Sequence, residues 1–477
     1  MASNIRIALA NVVKAIGLIL VAPALIALIY GENYEFMIFS IYALMIFSLG
    51  LLLSPKYSIG EVTLADAFII SAGSWLLASL IGTIPYIFIA RMQSIDAWFE
   101  SMSGFTTTGM TIIADIEALP KSLLFWRSLT EWVGGIGIVL FFILFVSPRG
   151  LGAWRLYRAE AREEKILTTT KGTVIAIWLL YSVFTVICTS SLIFVGLEPF
   201  DALTHALTAV STGGFSTKNA NIAGLENIRA NIILMIFMVI GATNFAVFIR
   251  AMRLRSLRVI IESIELRVFL LILVIATIIV TLDLFFNWRV ESIFDALHLA
   301  VFHVVSILTT TGYTLRNIAE FPNLTVWILT VLMTIGGSLG STSGAIKIMR
   351  IIIVIKAITY SISTWILPER TVKPFKVRGH EISSDDALKT ISFFTAYSIF
   401  ILIEGMLITA FGNIHPFIAL SGAFSAVGNI GPSLLPISSD LPNPIKVALI
   451  IGMWAGRLEI FPVITFIPYI FKKILRW

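Results

Sequence analysis

The chain has 477 residues, of which 58% are hydrophobic and only 13% are charged. This balance excludes an ordinary soluble domain and is typical of a polytopic membrane protein. The formal net charge of +6 is not evidence of nucleic-acid binding, because the basic residues lie in separate loops between apolar runs, which disfavours a nucleic-acid partner. The single cysteine, Cys188, excludes an intrachain disulfide and leaves the redox compartment open.

Apolar runs that approach or exceed the roughly 20 residues of a membrane-spanning helix follow one another along the whole chain. The predicted spans are about 8–30, 36–54, 64–90, 122–146, 173–197, 229–250, 266–287, 324–346, 387–411 and 443–470. The first run is too long for a cleaved signal peptide and has no small-residue cleavage site after it. The predicted fold class is an all-α polytopic membrane protein in contact with lipid.

Lysine and arginine concentrate on one side of these predicted spans. They lie mainly at 6–14, 149–171, 250–267, 347–389 and 472–476, whereas the opposite loops carry acidic residues. By the positive-inside rule, this bias predicts a multi-pass protein of the cytoplasmic (inner) membrane with both termini in the cytosol. The basic loops at 149–171 and 250–267 are candidates for docking a cytosolic partner or for contact with anionic lipid.

Four short segments between the long runs end in a shared small-residue signature. They read TTTGM at 106–110, STGGF at 211–215, TTTGY at 309–313 and GNIGP at 428–432. Glycine lets the backbone adopt conformations that expose carbonyl oxygens. Four such strands around one axis could replace the water shell of a cation, as ion-channel filters do. The sequence therefore predicts a pore with fourfold pseudo-symmetry within one polypeptide.

The alignment of the four signatures reveals an internal repeat. Six residues before each glycine stands a small hydroxyl residue: Ser103, Thr208, Ser306 and Ser425. Nine residues before it stand Glu100, His205, His303 and Gly422. The predicted unit is a spanning helix, a short re-entrant helix, a filter strand and a second spanning helix. It occurs at 60–146, 168–255, 262–360 and 384–473, after an N-terminal helix pair at 1–55.

Glycine, serine and threonine dominate residues 336–344, within the second helix of the third repeat. Such a composition makes a poor helix and predicts a broken segment beneath the filter. Arg457 is expected to point to the pore or to bond carbonyls of this broken segment. The candidate gate residues are Gly336, Gly337, Ser338, Gly340, Ser341, Thr342, Ser343, Gly344, Lys347 and Arg457.

Other polar residues within the apolar runs are predicted to be structural. Arg127 and Glu131 are spaced i, i+4 and are interpreted as an ion pair on one helix. Gly134 and Gly135 favour close helix packing. Glu100, His205 and His303 are expected to hydrogen-bond neighbouring elements behind the filter. Asn244 is expected to tie the central helices together.

Together these motifs resemble the superfamily of potassium transporters that includes the TrkH, KtrB and plant HKT proteins. The run at 336–347 resembles the third-repeat gate helix, 456–462 the fourth-repeat helix, and 429–432 the fourth filter. The N-terminal helix pair is more similar to TrkH than to KtrB. In the similar plant proteins, serine in the first filter accompanies sodium preference, so Gly109 implies potassium.

The resemblance implies a filter of backbone carbonyls, a homodimer, and a cytosolic ring of TrkA-like nucleotide-binding subunits. Potassium would be the substrate and the only metal bound, with no cofactor. The predicted filter residues are Thr107, Thr108, Gly109, Thr212, Gly213, Gly214, Thr310, Thr311, Gly312, Asn429, Ile430 and Gly431.

Two function classes stay open. The first is channel-like potassium uptake under the control of a cytosolic partner. The alternative is a secondary transporter that couples potassium entry to sodium or proton movement. Few carboxylates lie within the apolar runs away from their ends, which favours the first class. Because the chain has few histidines, one cysteine and no nucleotide-binding fingerprint, it lacks a credible catalytic set and is not predicted to be an enzyme.

Overall fold

The computed structural model describes residues 2–54, 62–138, 169–288, 290, 292–366, 375–377 and 380–474. Within these ranges the regular secondary structure is helical, apart from a two-residue antiparallel ladder between Lys376–Val377 and His380–Glu381. The predicted all-α membrane fold is confirmed. Seven helices are long and apolar enough to span a bilayer in the described residues, or nine if each of two bent pairs counts as one span. The predicted basic loop at 149–171 lies outside the described residues up to residue 168.

The N-terminal helices form a layer of their own against the first repeat. They are α1 (Ala2–Ile19), α2 (Val21–Tyr30) and α3 (Asn33–Leu53). The left-handed Gly31, with φ 72°, ends α2 and reverses the chain into α3. Glu32 follows at this turn, and its carboxylate accepts hydrogen bonds from the backbone amides of Lys121 (2.7 Å) and Ser122 (3.0 Å).

Each repeat begins with a long helix followed by a short one. The long helices are α4 (Leu64–Phe88), α7 (Thr170–Phe194), α12 (Ile264–Asn287) and α16 (Ser384–Gly412). The short ones are α5 (Ser94–Phe105), α8 (Pro199–Val210), α13 (Ile293–Leu308) and α17 (Pro416–Gly428). At 12 to 16 residues, the short helices reach only part of the way across a bilayer. The predicted re-entrant unit is thus present four times.

The second helix of the second, third and fourth repeats is interrupted, and that of the first is described only as α6 (Lys121–Ile136). The interrupted helices are α9 (Ile228–Gly241) with α10 (Phe245–Leu254), α14 (Asn323–Leu332) with α15 (Ile348–Ile366), and α18 (Asn443–Arg457) with α19 (Phe461–Ile474). The short helix α11 (Arg258–Ile261) connects the second and third repeats.

The prediction of unbroken helices over 229–250 and 443–470 is therefore wrong, whereas the break predicted within 324–346 is present. The chain bends by 89° between α9 and α10 and by 117° between α18 and α19. Left-handed backbone at Glu459 (φ 56°) and Ile460 (φ 64°) ends the helical path before α19. In the first repeat, α6 ends before Gly137, whose φ is 111°, and the predicted span over 122–146 continues outside the described residues.

Glycines on the second helices pack directly against the ends of the short helices. A Cβ atom added to Gly134 would overlap the carbonyl oxygen of Phe105. The same relation joins Gly456 to the carbonyl of Val427, and Gly241 to that of Val210. Only glycine permits this approach of two backbones in a membrane protein. The predicted packing role of Gly134 is confirmed, and the contact fixes the depth at which α5, α8 and α17 end.

Replacing Glu32 with alanine is expected to loosen the N-terminal helices from the first repeat. The carboxylate satisfies the first two amides of α6, at the partly positive end of that helix. Loss of such a cap costs about 1 kcal/mol, so thermal unfolding in detergent should occur at a lower temperature. Glu35→Ala is the matched control, because the described residues give Glu35 no hydrogen-bond donor. Equal unfolding temperatures for the two variants would contradict the capping role.

Candidate ion pathway

The four glycine signatures adopt one backbone conformation. The second residue of each five-residue signature is left-handed. These residues are Thr107, Thr212, Thr310 and Asn429, with φ of 55°, 54°, 60° and 54°. The glycine two residues later is left-handed as well, with φ of 75°, 90°, 82° and 110° at Gly109, Gly214, Gly312 and Gly431. Positive φ is uncommon outside glycine, so its recurrence at threonine and asparagine in register marks four copies of one motif.

One hydrogen bond ties each of these strands to the short helix before it. The amide of the residue before each filter glycine donates to the carbonyl of the hydroxyl residue six positions before that glycine. The pairs are Thr108 to Ser103 (2.9 Å), Gly213 to Thr208 (2.8 Å), Thr311 to Ser306 (2.9 Å) and Ile430 to Ser425 (3.0 Å). This is the closure by which a left-handed residue ends a helix. It turns the amides back to the helix and leaves the carbonyls free to face elsewhere.

The four strands form a closed ring. A Cβ atom added to Gly109 would overlap the carbonyl oxygen of Gly213 in the second repeat. A Cβ atom added to Gly214 would likewise overlap the carbonyl oxygen of Thr311, and one added to Gly312 would overlap that of Ile430. A Cβ atom added to Gly431 would lie 2.7 Å from the carbonyl oxygen of Thr108, in the first repeat. Each glycine therefore lies against a carbonyl of the next repeat, and the fourth contact returns to the first. Four carbonyl groups are thus held around one axis by glycines.

The residues nine positions before the glycines bind the chain that leaves the filter. Glu100 Oε1 accepts from the Ile112 amide at 2.5 Å. His205 Nε2 is 2.9 Å from Ser216 Oγ, and His303 Nε2 accepts from the Leu315 amide at 3.3 Å. Glu100, His205 and His303 therefore hydrogen-bond neighbouring elements, as predicted.

The fourth repeat uses a different residue for the same bond, and the sequence alone did not reveal it. Gly422 has no side chain, and the neighbouring Ser421 Oγ accepts from the Leu434 amide at 3.1 Å. The signal was available, because Ser421 is a hydroxyl residue adjacent to the aligned position.

The predicted ion pair between Arg127 and Glu131 is wrong as assigned. Arg127 Nε lies 3.6 Å from Glu100 Oε2 on the short helix α5. Both oxygens of Glu131 instead accept from the Phe215 amide, each at 3.2 Å. The i, i+4 spacing places the two residues near each other on α6. Arg127 nevertheless pairs with a residue of α5, and Glu131 hydrogen-bonds the second strand.

A vestibule of about 600 Å³ opens on one side of the ring. Its lining includes Gly109, Gly312 and Gly431, together with Asn219 and Arg316 from the segments after the second and third filters. An ion in this space would reach the ring without crossing an apolar layer.

The broken segment lies on the other side of the ring, and its predicted interruption is confirmed. No regular helix is formed from Met333 to Lys347, and Gly336, Gly340, Ala345 and Lys347 have positive φ. We call residues 336–347 the intramembrane loop. Gly344 N donates to Thr310 Oγ1 at 2.8 Å, so the loop contacts the third strand of the ring directly.

The intramembrane loop hydrogen-bonds to the bend between α9 and α10 in the second repeat. The amide of Ser338 donates to the carbonyl of Ala242 at 2.9 Å, and that of Thr342 donates to the carbonyl of Gly241 at 3.1 Å. These carbonyls lie at the break between α9 and α10, where helical partners are lost. Asn244, predicted to tie helices together, caps α10 through the Ala246 amide at 2.8 Å.

Arg457 bonds the loop, as predicted. Its guanidinium donates to the carbonyl oxygen of Thr342 at 2.7 Å. It also donates to the carbonyl oxygens of Gly134 (2.6 Å) and Gly135 (2.9 Å), at the end of α6. One cation at the end of α18 therefore joins elements of the first, third and fourth repeats beneath the ring.

The remaining charges at this level are close to Arg457. Lys347 is only 6% exposed, which disfavours snorkelling of its ammonium group into solvent. Arg350 and Glu459 form an ion pair at 2.5 Å, so Glu459 is paired with the third repeat. Lys347, Arg457 and Glu459 line one small cavity with Gly344.

Comparison with known proteins places this architecture. A model of the TrkH family, described as cation transport protein, matches residues 33–471. An uncharacterised cation transporter of Methanocaldococcus jannaschii, MJ1485, is 33% identical over 98% of this chain and 96% of its own. The Trk system potassium uptake protein TrkH of Salmonella typhimurium is 32% identical over 95% of this chain and 96% of its own. The crystal structure of the potassium transporter TrkH from Vibrio parahaemolyticus matches with a TM-score of 0.87 and 27% identity, over 97% of this chain and 98% of that one. The resemblance inferred from the motifs is confirmed.

Proposed function

The chain belongs to the TrkH family of cation transport proteins, and we propose that it takes up potassium through the ring of four filter strands. The family is a transporter family and not an enzyme class. Potassium uptake is supported by relatives that are named for it and match nearly the whole chain. The channel-like route, the filter residues and the gate are our proposal.

The closed ring of glycine–carbonyl contacts is the observation that carries the proposal. A cation that sheds water needs several oxygen atoms at fixed positions, and a ring of carbonyls provides them. Each of the short helices α5, α8, α13 and α17 ends at the ring, so four partly negative helix ends favour a cation there. Carbonyl oxygens of the twelve predicted filter residues would coordinate potassium as substrate.

The intramembrane loop is proposed as the gate. It lies beneath the ring, contacts Thr310, and is held by the Arg457 guanidinium. A positive group and a packed loop would together oppose cation passage. The gate residues are those predicted from the sequence.

Control by a cytosolic partner is proposed from the course of α15. This helix starts directly after the loop and presents exposed apolar residues such as Ile355, Ile358 and Trp365. Relatives named as parts of a Trk system support a regulatory partner in general. We propose a homodimer in the cytoplasmic membrane, both termini cytosolic, with a TrkA-like nucleotide-binding subunit that moves α15 and thereby shifts an open–closed equilibrium.

Ion flux into liposomes tests the proposal. Purified protein should pass potassium down its gradient with no sodium or proton gradient present. Flux that requires one of those gradients would establish the alternative, a coupled secondary transporter. Nucleotide should change flux only when the partner is added, and a response from the chain alone would refute that division of labour.

A further inference from the structure

The second filter strand departs from the other three at one position. The residue before the filter glycine is Thr108, Thr311 or Ile430 in three repeats, but Gly213 in the second. Gly213 is not among the glycines with positive φ, so its own backbone does not require glycine. Something beside the strand must explain the missing side chain.

Glu131 fills the space that a side chain at Gly213 would need. A Cβ atom added to Gly213 would overlap the Glu131 carboxyl group and lie 2.8 Å from its Cβ. Glu131 is fully buried, and both its oxygens accept from the amide of Phe215, two residues after Gly213. The carboxylate thus occupies one side of the second strand and binds its backbone.

The fold itself does not require a carboxylate at this position. Gly134, Gly241 and Gly456 mark equivalent places on the second helices, because each packs on the carbonyl oxygen of the residue four positions before the filter glycine of its repeat. Three residues before them stand Glu131, Met238 and Met453, all buried. Methionine therefore suffices in two repeats, and the acid is specific to the first.

Arg127 extends this contact to both neighbouring strands. Its guanidinium donates to the Ser216 carbonyl at 3.1 Å and lies 4.1 Å from the centre of the Phe215 ring. On its other side, its Nε is 3.6 Å from Glu100, which binds the first strand through Ile112. The chains leaving the first and second filters are therefore braced by one buried cluster.

We propose that Glu131 is a positioning residue for selectivity, which holds the second filter strand in register by accepting the Phe215 amide and which requires glycine at 213. The inference rests on the proposed potassium filter. It adds that the ring is functionally asymmetric: the second strand depends on a carboxylate from α6, at a position where the second and fourth repeats carry Met238 and Met453.

Permeability ratios of channels in liposomes test the role of Glu131. E131M introduces methionine, the residue at the equivalent position of the second and fourth repeats, and removes the acceptor of the Phe215 amide. The potassium-to-sodium permeability ratio should fall about tenfold, the equivalent of one hydrogen bond. E131Q keeps an acceptor oxygen of the same reach and should restore the wild-type ratio. An unchanged ratio in E131M, or an equal loss in E131Q and E131M, overturns the inference.

A double-mutant cycle tests the link between Glu131 and Gly213. G213T alone should lower the thermal unfolding temperature, because its side chain meets Glu131. In the E131M background G213T should cost less stability, because the flexible methionine side chain can move aside. Threonine is also the residue before the filter glycine in the first and third strands. Additive effects would overturn the steric link.

Two comparisons separate this inference from its premise. D283A removes another buried carboxylate, which binds the Thr325 amide at 2.9 Å away from the ring; it should lower stability and leave the permeability ratio unchanged. If the wild-type protein shows no potassium preference, the proposed function fails. If it is selective and E131M is equally selective, only the role of Glu131 fails.

Discussion

Replacing Gly109 with serine is expected to raise sodium permeability relative to potassium. The glycine has φ 75°, a conformation that costs an L-residue about 1–2 kcal/mol. The added Cβ would also overlap the Gly213 carbonyl, one of the four around the axis. Because that carbonyl must move, the oxygen cage loses its fit to the larger ion. A change of about 1.4 kcal/mol in relative affinity would alter the permeability ratio tenfold.

Bi-ionic reversal potentials measure this ratio, and Gly31→Ser is the matched control. Gly31 has nearly the same φ, 72°, but nothing lies within 4 Å of a Cβ added there. The control therefore carries the backbone strain without the contact to the ring. An unchanged ratio in Gly109→Ser, or the same change in both variants, would count against the filter proposal.

Replacing Arg457 with alanine is expected to increase flux while leaving selectivity intact. The substitution removes three hydrogen bonds that hold the loop and the end of α6 together. It also removes a positive charge beneath the ring. At intermediate dielectric, one charge about 4 Å from an ion is worth ~4 kcal/mol, so even partial screening leaves a substantial barrier. Deletion of residues within 338–343 should likewise increase flux without changing selectivity.

Single-channel recording distinguishes this role from a general loss of stability. Arg267→Ala is the control, because that exposed arginine also donates to a backbone carbonyl, Ile261, but at the start of α12. It should change neither conductance nor open probability. The gate proposal fails if Arg457→Ala and the loop deletion both leave conductance and open probability at wild-type values.

The ring of four strands could be predicted from the sequence because its determinants are local. Each strand depends on three positions within one short stretch of chain. They are a left-handed residue, a glycine two positions later and a hydroxyl residue six positions before that glycine. Glycine-rich composition likewise revealed the intramembrane loop. The identity of Glu131 as a filter contact could not be predicted, since helical spacing suggested Arg127 while the actual partner, Phe215, lies in another repeat.

The bend at 242–244 shows a second limit of sequence reasoning. Residues 228–254 read as one apolar helix, with little local sign of a break apart from Asn244. Their free carbonyls are tolerated because Ser338 and Thr342 supply amides from about a hundred residues away. Such a break depends on a distant partner, which no local pattern encodes.

These amides have a consequence for any movement of the loop. If the loop withdraws, the carbonyls of Gly241 and Ala242 lose their donors within a membrane, where an unsatisfied backbone group costs several kcal/mol. Water entering the vacated space would replace those donors at little enthalpic cost. An ion needs water in the same place. Opening would therefore be a hydration event, in which the solvent that stabilises the displaced backbone also forms the route to the cytosol.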